Sequence, residues 1–63
     1  MNRFEFYKIL STYDKDLIYN KTGIKCHSIR DIWRIAKYTY DLLDEDEKAQ
    51  DYEDTLRDLS NIN

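Results

Sequence analysis

Apolar residues recur along this chain at helical spacing, and the polar residues between them fall on the opposite arcs. Phe6, Ile9, Leu10, Tyr13 and Leu17 lie within an arc of ~100° at 100° per residue, which predicts an amphipathic first helix over about residues 3–13. Ser11-Thr12 marks a break, where Asp14 can cap a second short helix over about 14–22. Gly23 takes the left-handed conformation without steric cost and is the natural stop. Ser28, followed by Asp31 three residues on, reads as the cap of a third helix over about 28–43. Its stripe is Ile29, Ile32, Trp33, Ala36, Tyr40 and Leu43, and Ile35, Thr39 and Leu42 widen it to about half the circumference. Such a helix touches neighbours on two sides and is expected to be central.

Asp44 with Glu47 offers a further cap, and Ala49, Tyr52, Leu56, Leu59 and Ile62 then repeat over a last helix at about 45–60. Continued unbroken from the third helix, this stripe would sit about 180° from the preceding one, so a turn is expected at 43–45. One long helix in a dimer or a domain-swapped form is the alternative. The alternation of Phe4 and Phe6 is a short strand signal that the helical pattern outweighs. The expected fold is all-α, a single domain over 1–63 built as a bundle of three or four helices. Trp33, Tyr13, Tyr40 and Tyr52 lie on the apolar stripes and are expected in its core.

Composition narrows the function. A chain of 63 residues with 41% hydrophobic and 37% charged residues is globular in character. It leaves little chain for a pocket once a core is made, which argues against an enzyme and a small-molecule substrate. One Cys cannot form an internal disulfide, so a stapled secreted mini-protein is excluded. No apolar run approaches the ~20 residues a bilayer requires and no signal-peptide pattern opens the chain, so a cytoplasmic protein with no membrane role is expected. Cys26-His27 is the only pair of reactive residue types. A metal site would need more ligands of that kind, and a half-buried Cys26 beside an exposed His27 is the expectation. The acidic run Asp44–Glu47 lacks the glycine and the ligand spacing of a calcium loop, and one Gly cannot build a phosphate cradle. No catalytic residue, metal site or cofactor is predicted.

Charge is unevenly distributed. Residues 1–40 carry eight basic and four acidic side chains, whereas residues 41–63 carry two and nine, a balance of +4 followed by −7 within a net charge of −3. On the third helix Arg30, Arg34 and Lys37 fall on one ~60° arc, with Tyr38 beside it and Lys25 near its start. On the last helix Glu47, Asp51, Asp54 and Asp58 run along another ~60° arc, flanked by Asp46 and Glu53. The acidic arc is a candidate contact for a basic partner, and the basic arc for an acidic protein or nucleic acid. The two could instead neutralise each other within the chain.

Residues 17–34 resemble the helix-turn-helix motif of small DNA-binding proteins. Ile18, Gly23, Ile24, Ile29 and Ile32 occupy its characteristic places, and Cys26 is acceptable at another. Tyr19 departs where the family prefers a small residue, and Thr22 departs where an apolar one is usual. The resemblance implies a recognition helix near Lys25–Lys37 lying in the major groove. Against it stands the negative net charge, a poor match to phosphate.

Exposed Tyr beside Arg is the composition of protein interfaces. The leading expectation is a non-enzymatic protein-protein interaction module, monomeric or homodimeric. An inhibitor or adaptor of the kind encoded by phages and other mobile elements is the specific form expected. A helix-turn-helix DNA-binding regulator is the alternative.

Overall fold

The computed structural model describes residues 1–61 and consists, among them, of four α-helices and no strand. These are α1 (Arg3–Leu10), α2 (Lys15–Thr22), α3 (Ile29–Asp41) and α4 (Glu45–Ser60). Ile62, expected on the last apolar stripe, lies outside the described residues.

Each helix starts at a side-chain cap. Asn2 accepts from the Glu5 amide at 2.8 Å, and Asp14 from those of Asp16 and Leu17 at 3.0 and 3.1 Å. Ser28 accepts from Asp31 at 3.3 Å, and Asp44 from Glu47 at 2.7 Å. Glu47 reaches back to the Asp44 amide at 3.4 Å, completing a reciprocal capping box. Helix α2 ends on Gly23 at φ 76°. A Cβ at that position would meet nothing within 4 Å, so the requirement for glycine there is conformational.

Helix α1 is shorter than its apolar pattern suggests. The Ser11 hydroxyl donates to the Tyr7 carbonyl at 2.9 Å and that of Thr12 to Ile9 at 2.7 Å. Amides Thr12 and Tyr13 close tight bonds to Ile9 and Leu10. The chain then turns through Tyr13 at φ 54°, a left-handed conformation in a bulky residue.

The core lies where α1, α2 and α3 meet. Leu10, Ile18 and Ile32 are fully buried, joined by Cys26 and Ala36, with Phe6, Tyr7, Ile9, Ile24 and Ile35 packed around them. Thr39 is also buried, its hydroxyl donating to the Ile35 carbonyl at 2.8 Å. Arg3 donates to the Leu42 carbonyl at 2.7 Å and ties the start of α1 to the end of α3.

The expected aromatic core is not there. Trp33 is 62% exposed, Tyr52 66% and Tyr13 45%; only Tyr40 is half-buried. The reason is the width of the α3 stripe. Helices α1 and α2 cover only part of that half-circumference, because Ile32 and Trp33, consecutive in sequence, point ~100° apart around α3 and only the Ile32 side meets them. They cover the part centred on Ile32, Ala36 and Thr39, which leaves Ile29 and Trp33 at the rim.

Helix α4 stands apart from this arrangement. The main helix packing is α1 on α3 and α1 on α2, and no α4 residue is fully buried. The radius of gyration is 12.1 Å, above the roughly 11 Å typical of a chain this length, in keeping with a helix laid on the outside.

Candidate functional site

The acidic arc of α4 faces inward. Lys8 of α1 places its ammonium 3.3 Å from Asp51 Oδ1 and 3.0 Å from Asp54 Oδ2. The Tyr7 hydroxyl donates to Asp51 Oδ2 at 3.4 Å, and Gln50 Nε2 to Asp54 Oδ1 at 3.0 Å. Arg57 lies 3.7 Å from the same carboxylate. Glu47 belongs to the helix cap, and Asp58 is exposed at the far end of the arc. Partial burial disfavours the Lys8 charge, but the hydrogen bonds it donates to Asp54 and Asp51 outweigh that and raise its pKa above the ordinary range. The Lys8 hydrogen bond, followed by that of Gln50, holds the Asp54 carboxyl below its usual range. Burial, reinforced by the Asp51 carboxylate, raises the Tyr7 phenol.

The partner of the acidic arc within the chain is therefore Lys8, not the basic arc of α3. Neither Lys8 nor Tyr7 stood out in the sequence, because both lie off the apolar stripe of their helix. A signal was present: two carboxylates three residues apart form a clamp suited to one ammonium.

The basic arc is open. Arg30, Arg34, Lys37 and Tyr38 are exposed on α3, whereas Lys25 lies in the connection 23–28 rather than on the helix. Arg34 leans 3.4 Å from Asp31 on its own helix; among the described residues Arg30 and Lys37 have no ion-pair partner.

Beside this arc runs a groove of about 270 Å³, lined by Tyr7, Tyr13, Trp33, Ala36, Lys37 and Tyr40. The Tyr13 and Trp33 rings stack at 6.0 Å across its mouth. Tyr40 forms its floor, 5.3 Å from the Tyr7 ring, with the Lys48 ammonium of α4 5.3 Å from its own. Holding Tyr13 at positive φ costs roughly 1–2 kcal/mol, and such residues cluster at functional sites. Here the turn delivers the ring to Trp33. A second hollow, about 400 Å³, is bordered by Lys15, Asp16, Tyr19, Lys25 and Cys26.

Cys26 and His27 do not form a reactive pair. The cysteine is buried in the core cluster, while His27 is exposed and its amide donates to Asp31 at 3.3 Å. Among the described residues no group of three His, Cys, Asp or Glu side chains converges as a metal site would, and no helix is long and apolar enough to cross a membrane.

Comparison with known proteins finds no matching family model, no matching curated protein and no matching solved structure.

Proposed function

We propose that this chain is a non-enzymatic protein-binding module, an inhibitor or adaptor by type, whose contact face is the groove of Tyr13, Trp33 and Tyr40 with its rim of Arg30 and Lys37. The observation that carries this reading is the exposed Tyr13–Trp33 stack. Two large aromatics held in the open by a strained turn, with unpaired bases beside them, have the make-up of an interface hot spot. The matching partner surface is apolar with an acidic rim. The acidic arc of α4 supports the fold through Lys8 and leaves only its outer members, Asp58 foremost, for outside contacts.

Nucleic acid is the competing occupant of the same bases. The connection between α2 and α3 spans residues 23–28, longer than the three or four residues usual in a helix-turn-helix, and the net charge of −3 opposes phosphate. The test is capture from extracts of the native host with wild type, Trp33→Ala and the double variant Arg30→Ala/Lys37→Ala. A specific protein partner retained by wild type and lost by both variants, with unchanged circular dichroism, is expected. Tight duplex DNA binding with a steep salt dependence would replace this reading by the DNA-binding one.

A further inference from the structure

Helix α4 carries an apolar stripe that the chain itself does not cover. Tyr52, Leu56 and Leu59 are 66%, 46% and 60% exposed, because the helix meets α1 through Asp51 and Asp54 on another side. One edge of the stripe carries Asp46 and Glu53, both exposed. Two α4 helices laid stripe to stripe would bring together a pair of segments each holding seven acidic and two basic residues, and their repulsion opposes that pairing. The cover that fits is an apolar surface rimmed by bases. The chain presents one: Ile29, Trp33 and Tyr13, with Arg30 and Lys37 alongside.

We propose that the partner of the Trp33 face is a second copy of this chain, in a two-fold dimer where α4 of each protomer lies along the groove of the other. The proposal rests on the protein-binding reading above and names the occupant of that same face. Each protomer supplies both surfaces, so a two-fold axis satisfies both contacts at once and leaves neither stripe over. The two surfaces also adjoin. Tyr40 lines the groove with Trp33 and lies beside Lys48, which is one helical turn before Tyr52. An axis near Tyr40 therefore carries each stripe across the opposite groove. Ile29, Trp33, Tyr13, Tyr52, Leu56 and Leu59 together expose on the order of 700–800 Å², close to the ~800 Å² per partner of a standard interface.

The experiment measures mass by light scattering over a range of protein concentrations, alongside the emission of the chain's single Trp. A monomer–dimer equilibrium is expected, with emission moving to shorter wavelength as Trp33 becomes covered. Trp33→Ala, which removes no core contact, should weaken the dimer about tenfold or more. Charge reversal sharpens the test. Arg30→Glu/Lys37→Glu and Asp46→Lys/Glu53→Lys should each be monomeric alone, since like charges then meet in both contacts. Mixed, they should form a heterodimer, because both contacts again pair opposite signs. A chain that stays monomeric at every concentration, or a dimer that none of these variants weakens, overturns the proposal. The broader reading stands or falls separately: a monomeric chain that captures a host protein through Trp33 keeps its binding function without self-association, whereas a chain that neither dimerises nor captures a protein through Trp33 loses both readings.

Discussion

Where α1, α2 and α3 meet, Leu10, Ile18 and Ile32 touch with no solvent exposure; where α4 meets α1, an ammonium sits between two carboxylates while Tyr52, Leu56 and Leu59 face away. The first contact rests on apolar burial, roughly 1.5–3 kcal/mol for each large aliphatic side chain, and salt leaves it almost untouched. The second rests on partly exposed ion pairs, which are individually weak and screened by salt. A helix with a usable apolar stripe is thus held by its polar side. What keeps the chain folded is therefore distinct from what it has left to offer a partner.

The largest effect should come from breaking the apolar side of that comparison. Ile32→Ala empties a fully buried position shared by the three helices and should cost about 2–5 kcal/mol, most of the stability of a domain this size. Thermal unfolding followed by circular dichroism measures it.

An intermediate, local effect should follow removal of the ammonium. Lys8→Met keeps the stem but releases Asp51 and Asp54, so amide hydrogen exchange in α4 should accelerate while the core amides of α3 keep their protection. Acid should act the same way. Because the Asp54 pKa is lowered by folding, its contribution is fully present above the ordinary value of 3.8 and is lost as pH falls through that value and the lower folded one. Lys8, raised by folding, contributes fully below its ordinary 10.5 and loses that contribution only as pH climbs past it. Docking of α4 should therefore be steady from about pH 5 to 9 and weaken at both extremes.

The smallest effect on stability is expected from Trp33→Ala. The residue is 62% exposed and its main partner is the Tyr13 ring, so the cost should be about 1 kcal/mol or less. A melting temperature within a few degrees of wild type, together with lost binding, would sharpen the distinction between core and contact face. A collapse of the fold would erase it.

Helix boundaries were readable from local chemistry. Asp14, Gly23, Ser28 and Asp44 act within a turn of their own position, so their roles follow from short-range hydrogen bonding. The side of each helix that would be buried was not equally readable. A stripe spanning half of α3 is compatible with several positions of its neighbours, and the choice of Ile32 over Trp33 is made by the side on which α1 packs, a long-range contact that the α3 pattern does not encode. On α4 periodicity pointed to Tyr52, Leu56 and Leu59, whereas the docking surface is set by Lys8, a residue more than 40 positions upstream of Asp51 and Asp54 whose pattern carries no hydrophobic signal. The left-handed Tyr13 was likewise hidden, since nothing local favours it and its ring meets Trp33 only in the folded chain.

The buried thiol of Cys26 gives the molecule an internal clock. Cys26 is 8% exposed, packs in the cluster of Leu10, Ile18 and Ile32 and borders the hollow of Lys15, Asp16, Tyr19 and Lys25, so a thiol reagent gains full access when the connection 23–28 or the helices around it open. None of the buried residues of that cluster lies on α4, so release of α4 should leave it closed. The rate of Cys26 modification therefore times openings on the α2–α3 side of the core, even in high salt where the last helix is loosened. A chain with a single cysteine needs no engineered label for this.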